Sequence, residues 1–145
     1  MGLRRSAHAV YELEYHVVWV PKYRAKILGG EVSEYLKKVF EEIAEHYDFH
    51  ITAMEVMPDH IHMLVEAPPT YSPTKIVQTM KSISARELYA RFPKMKKEMW
   101  SGKIWGEGYF VRSVGDKLTS EVISKYIQYQ KSEEGPKQMK MSFEW

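Results

Sequence analysis

The run Met57-Pro58-Asp59-His60-Ile61-His62-Met63-Leu64-Val65-Glu66 constrains this chain more than any other stretch. It is short and apolar, it is opened by a Pro-Asp turn, and it reads as a β-strand. Successive side chains of a strand point to opposite faces, so His60 and His62 share one face while Ile61, Met63 and Val65 share the other. Two imidazoles so placed have the geometry of a metal clamp. They are equally the polar lining of a half-buried strand, and a partner elsewhere in the chain has to decide between the two.

The surrounding sequence supplies the elements against which such a strand can pack. Tyr15-His16-Val17-Val18-Trp19-Val20 is aromatic and β-branched throughout and reads as a strand buried on both faces, ended by Pro21. After Gly29-Gly30, the apolar residues Leu36, Val39, Phe40, Ile43 and Tyr47 recur at helical spacing, which predicts an amphipathic helix from Ser33, its N-cap, to about Tyr47. Asp48 to Met57 then precedes the histidine strand by only Pro58-Asp59, so the two form an antiparallel hairpin. Ser72-Pro73 caps a second helix with the stripe Ile76, Val77, Met80, Ile83, Leu88 and Phe92, ending before Pro93. Tyr109 to Val114 makes a fourth strand, and Thr119 caps a last helix, Ser120 to about Ser132.

The order strand, helix, strand, strand, helix, strand, helix splits two strand-helix-strand units around a central hairpin. That is the α+β, ferredoxin-like arrangement, in which two helices cover one face of an antiparallel sheet. If Ile61, Met63 and Val65 lie under the helices, His60 and His62 lie on the open face, within reach of a ligand or the last helix.

At 145 residues the chain is expected to be a single domain, with residues 1–10 a flexible lead-in and 133–145 a polar tail. Hydrophobic residues at 44% and charged residues at 28% are ordinary globular usage and argue against disorder. The net charge of +2 permits nucleic-acid binding without demanding it. There is no cysteine, so thiolate zinc sites and disulfides are excluded. With no signal-peptide core and no membrane-length apolar run, the expected location is the cytoplasm and the expected partners do not include a membrane.

Two basic stretches carry embedded aromatics. Lys22-Tyr23-Arg24 follows the first strand, and Lys94, Lys96, Lys97 and Lys103 lie between Phe92 and Trp105, broken by Glu98. Charge for phosphates beside rings for bases suits single-stranded nucleic acid, and Arg112 on the fourth strand joins the same list of candidate contacts. Solvated surface accounts for such charge runs equally well.

The last predicted helix holds the partner that the histidines require. Tyr126 and Gln130 are one turn apart and face the same way. A glutamine amide oxygen suits Mg2+ or Mn2+, ions that keep water and phosphate oxygens in their shells, which points to phosphoryl chemistry. Tyrosine, with a pKa of about 10, needs a polarised phosphorus or a cationic neighbour such as Lys125 to act as a nucleophile. The alternative is a ring that simply packs on the sheet.

Four segments together carry a family resemblance: Tyr15 to Arg24, Met57 to Val65, Trp105-Gly106-Glu107-Gly108-Tyr109-Phe110-Val111, and Tyr126 with Gln130. In that order and separation they resemble the single-tyrosine transposases of small bacterial and archaeal insertion sequences, within the His-hydrophobic-His endonuclease superfamily. The resemblance implies a ferredoxin-like fold, a divalent ion (Mg2+ or Mn2+) held by His60, His62 and Gln130, and Tyr126 as the nucleophile on single-stranded DNA. It further implies a covalent 5′-phosphotyrosine, recognition of hairpins near the element's ends, and a homodimer in which the tyrosine helix of one subunit serves the histidines of the other. No nucleotide cofactor is implied.

Two rival readings follow from the residues. One is a ferredoxin-like nucleic-acid binder without chemistry, stacking bases on Trp19 and Tyr109. The other is a metal-dependent hydrolase in which water attacks, with Glu55 or Glu66 as base.

Overall fold

The computed structural model describes residues 3–98 and 103–114. Within them the chain forms strands β1 (Arg4–Arg5), β2 (Val10–Tyr11) and β3 (Glu14–Trp19), helix α1 (Gly30–Tyr47), strands β4 (His50–Met57) and β5 (His60–Glu66), helices α2 (Pro73–Arg91) and α3 (Pro93–Glu98), and strand β6 (Phe110–Ser113). The expected last helix, with Lys125, Tyr126, Tyr129 and Gln130, and the expected tail lie outside the described residues.

β3, β4, β5 and β6 make one antiparallel sheet in the order β4-β5-β3-β6. The hairpin partners sit side by side, and each outer strand reaches its place through a helix-containing crossover. This is the ferredoxin-like order that the sequence predicts. The alternation of β5 decides which face the helices cover. Ile61, Met63 and Val65 pack in one cluster with Leu36, Val39, Phe40 and Ile43 of α1 and Ile76, Val77, Met80 and Leu88 of α2. Val17 and Trp19 of β3 join that cluster.

The helix boundaries differ from expectation in one place. α1 begins at Gly30 behind Gly29 as N-cap, so Ser33 is already inside the helix and does not cap it. Gly30 enters at φ +58, a conformation open to glycine and strained for other residues. α2 follows its expected start: Ser72 Oγ accepts from Lys75 N, with Pro73 at the first helical position. The short α3 has no counterpart among the expected elements. In it Met95 is buried against the core, while Lys94, Lys96 and Lys97 point to solvent.

The lead-in also has structure that its composition does not signal. β1 pairs antiparallel with β2, and two guanidinium nitrogens of Arg4, Nε and Nη2, lie 3.3 and 3.4 Å from the carboxylate oxygens of Glu66. Glu66 is fully buried and stands directly across from Glu14, also buried, which accepts from Thr52 Oγ1 at 2.8 Å. Two carboxylates in one buried spot need such partners, and Arg4 fixes the hairpin by answering one of them. Thr52 sits at the register shift between Ile51 and Ala53, where an irregularity in β4 turns its side chain to this use.

β6 is placed by α2. Lys81 Nζ donates to the carbonyls of Gly106 at 2.8 Å and Gly108 at 2.9 Å, and Trp105 Nε1 donates to Ser84 Oγ at 3.0 Å. These bonds pin the loop before β6 to the helix layer and set Phe110 and Arg112 beside His16.

Candidate active site

Because β5 gives its isoleucine, methionine and valine to the core, His60 and His62 lie on the face away from α1 and α2. Their ring centroids are 5.4 Å apart with planes at 73°. Each is gripped through Nδ1. Asp59 Oδ1 lies 2.7 Å from His60 Nδ1, and Asp59 Oδ2 accepts from Arg24 Nη2 at 3.3 Å. His62 Nδ1 lies 2.9 Å from Nε2 of a third histidine, His16 on β3. An ion would therefore be met by the two Nε2 atoms.

On that face His60 and His62 are nevertheless buried, at 1% and 0% exposed. A row of rings crosses the sheet on this face, in which His60 contacts His62, His62 meets His16, and His16 packs edge-on against Phe110. This burial governs their charge. It pushes the His62 imidazole far below its ordinary value, to about 2, and the nearby His16 and His60 act in the same direction. Burial, then the Arg112 guanidinium, lowers His16 to about 4. His60 is lowered by burial against the opposing pull of Asp59. All three are neutral at pH 7, the form in which a ring nitrogen keeps a lone pair for a cation.

The donor set fits a divalent ion in part. Neutral imidazoles suit later first-row ions best, and Mn2+ or Mg2+ held here would draw the rest of its shell from amide, water and phosphate oxygens. Among the described residues no group of three or more His, Asp or Glu is arranged to hold a metal. The pair is thus only part of a coordination shell. Gln130, expected to add to it, and Tyr126, expected to react beside it, lie outside the described residues.

Comparison with known proteins agrees with this fold. The sequence profile of the family described as "Transposase IS200 like" matches residues 9–130. The chain belongs to the IS200-like transposase family. It is 36% identical to the ISDra2 transposase TnpA of Deinococcus radiodurans, over 92% of this chain and 95% of that protein. It is 34% identical to the transposase for insertion sequence element IS200 of Salmonella typhimurium, over 92% and 88% respectively. Among solved structures, a transposase from Deinococcus radiodurans superposes with a TM-score of 0.70 at 35% identity, covering 88% of this chain and 97% of that one. A REP-associated tyrosine transposase bound to a REP hairpin shares the fold, with a TM-score of 0.59 at 14% identity over 89% and 72%.

In this IS200-like transposase the candidate DNA contacts divide into groups. Lys22, Tyr23 and Arg24 form a 3-10 turn after β3, in which Tyr23 and Arg24 both have positive φ. Tyr23 is 68% exposed with the Lys22 ammonium over its ring, whereas Arg24 is turned inward onto Asp59. Lys94, Lys96 and Lys97 are all exposed on α3, and Lys103 is exposed on the loop that follows. Arg112 is exposed on β6, opposite His16 in register. Among the described residues no helix is long and apolar enough to cross a membrane.

The structure removes Trp19 as a stacking surface and Glu66 as a base. Trp19 is 1% exposed under the sheet, packed edge-on against Phe40 and Trp105, so it offers no surface for stacking a base. Tyr109 is on the helix side too, its hydroxyl bonded to Thr74. Glu66 is engaged by Arg4, which leaves Glu55 as the carboxylate beside the histidines, directly across β4 and β5 from His62.

Sequence reasoning singles out His60 and His62 but misses the groups that hold them. Asp59 reads only as a turn residue and Arg24 only as a phosphate contact. The signal for Asp59 is its adjacency to His60. For His16 it is a lone histidine inside an otherwise apolar strand, a position that demands a polar partner.

Proposed function

We propose that this transposase cleaves and rejoins single-stranded DNA at insertion-sequence ends through a covalent 5′-phosphotyrosine on Tyr126. The observation that supports the reading is the pair of imidazoles on one face of the sheet, each engaged at Nδ1 and so able to offer Nε2 to a ligand. When bound by His60, His62 and Gln130, Mg2+ or Mn2+ supplies Lewis-acid polarisation and neutralises charge at the scissile phosphate. The Tyr126 oxygen attacks phosphorus as its proton passes to solvent water, with Lys125 favouring the phenolate. The bond from phosphorus to the 3′ oxygen breaks, that oxygen takes a proton and leaves as a 3′-hydroxyl, and the 5′ phosphate stays esterified to Tyr126. A 3′-hydroxyl from another strand reverses the step and joins new DNA. One phosphoester replaces another throughout, so no nucleotide cofactor enters.

Lys22, Tyr23, Lys94, Lys96, Lys97, Lys103 and Arg112 supply the charge and ring surface for the strand. The bound REP hairpin of the tyrosine transposase that shares this fold supports a hairpin substrate here. We take the working unit to be a homodimer with shared sites. Mixing Tyr126→Phe with His60→Ala protein then restores cleavage at one site, and no restoration would place each site within one subunit.

A second reading has one observation in its favour: Glu55 faces His62 across the hairpin and is nearly buried, a position from which a base could activate water. A denaturing gel with labelled hairpin DNA and Mn2+ separates the readings. Label that migrates with the protein supports the tyrosine mechanism, free cleaved ends support hydrolysis, and intact DNA reduces the protein to a binder.

A further inference from the structure

We infer that His16 is a positioning residue for the metal half-site: it fixes the tautomer and the plane of His62 so that Nε2 is presented to the ion. The inference rests on the metal reading above and adds a residue to it. His16 pairs with Leu64 across β3 and β5, and His62 pairs with Val18, so the two histidines are diagonal neighbours on the same face. At that spacing long side chains touch. Their rings are 21° from coplanar with centroids 5.1 Å apart, close to the 2.9 Å nitrogen separation plus the two ring radii. The rings are therefore edge to edge and nearly in line, and the lone pair of one nitrogen points at the hydrogen of the other.

That contact holds one proton between two nitrogens, and only one placement suits a ligand. With the proton on His62 Nδ1, His16 Nε2 accepts and His62 Nε2 keeps its lone pair. With the proton on His16 Nε2, His62 accepts at Nδ1 and carries its hydrogen on Nε2, which bars a cation. His16 itself is not a ligand in this arrangement, because its Nε2 is directed at His62. The same logic acts on His60, where the acceptor is the Asp59 carboxylate. The two ligands of this half-site are thus set by different kinds of acceptor, a carboxylate and a neutral ring.

The test uses the full-length protein, with 15N-labelled histidine read by NMR in the absence of metal and Mn2+ binding read by EPR. In the wild type His62 carries its proton on Nδ1. His16→Leu fills the space without an acceptor, shifts the His62 proton to Nε2, and weakens Mn2+ binding by about 10- to 100-fold. His16→Gln, whose amide oxygen reaches the place of Nε2, restores the Nδ1 tautomer and most of the affinity. A wild-type His62 protonated on Nε2, or a folded His16→Leu protein with wild-type Mn2+ affinity, overturns the inference. Failure of the metal reading looks different: wild type and His62→Ala then bind Mn2+ equally.

Discussion

Asp59 and His60 are neighbours in sequence and also bonded side chain to side chain, with Oδ1 of the one 2.7 Å from Nδ1 of the other. The hairpin turn makes this possible, since Pro58-Asp59 reverses the chain just where β5 begins. Arg24 closes the unit by gripping the second carboxylate oxygen from the turn after β3. Asp59→Ala is expected to weaken Mn2+ binding by about 10- to 100-fold while leaving hairpin binding within a small factor, because phosphate contacts reside on other residues. Parallel titrations with Mn2+ and with labelled hairpin check this, and equal losses in both would show that Asp59 supports the fold and not the ligand.

Stability of the metal-free protein should fall with acid. His16 and His62 are held at about 4 and about 2 in the folded chain and return to about 6.5 on unfolding. Below pH 6.5 the unfolded state binds protons that the folded state refuses. The stability from neutral burial is therefore complete above 6.5 and is lost as pH drops toward 4, by about 1.4 kcal/mol per unit for each histidine. Urea unfolding at pH 7.5, 6 and 5 measures it, and midpoints that do not move over that range contradict the account.

Salt dependence tests the basic surface. Met95 anchors α3, while Lys94, Lys96 and Lys97 are exposed. Replacing the three by alanine should lower the slope of log affinity against log salt by roughly 0.7 for each phosphate of single-stranded DNA that is no longer neutralised. An unchanged slope would return α3 to ordinary surface.

Arg4→Ala should destabilise the fold out of proportion to its place near the terminus. It leaves the buried Glu66 carboxylate facing Glu14 without the guanidinium. Loss of one partner from a fully buried pair costs about 3–5 kcal/mol, and with Arg4 one-third exposed about 2–3 kcal/mol is expected. Thermal unfolding of Arg4→Ala beside Arg5→Ala, a neighbouring cation outside the Glu66 pair, gives the comparison; equal melting temperatures would remove the latch.

The sheet and its helices are legible in the sequence because their signals are periodic and local. Alternation in β5 and the three- and four-residue spacing in α1 and α2 report burial directly, and burial fixes the strand order once the connections are short. The surroundings of the histidines are not legible, since they depend on pairing between distant segments. Nothing near Val17 in sequence says that His16 will meet His62, 46 residues away. Arg24 and Trp19 mislead for the same reason: a basic or aromatic residue near a strand end can face solvent or the interior, and the partner that draws it inward lies elsewhere in the chain. Gly29 displaces the expected Ser33 cap because a glycine start leaves no side-chain signature.

The central claim is that Tyr126 is the nucleophile of a site built on His60 and His62. In the sequence Tyr126 stands four residues before Gln130, a spacing that would share one face of a helix, whereas Tyr129 adjoins Gln130 and would stand about 100° around such a helix from it. The direct measurement is mass spectrometry of peptides from a trapped protein-DNA adduct, made with wild type, Tyr126→Phe, Tyr129→Phe and His62→Ala in Mn2+. The account predicts a nucleotide on the peptide containing Tyr126 in wild type and in Tyr129→Phe, and no adduct in Tyr126→Phe or His62→Ala although both still bind the hairpin. A nucleotide mapped to Tyr129, or an adduct formed by Tyr126→Phe, would contradict it.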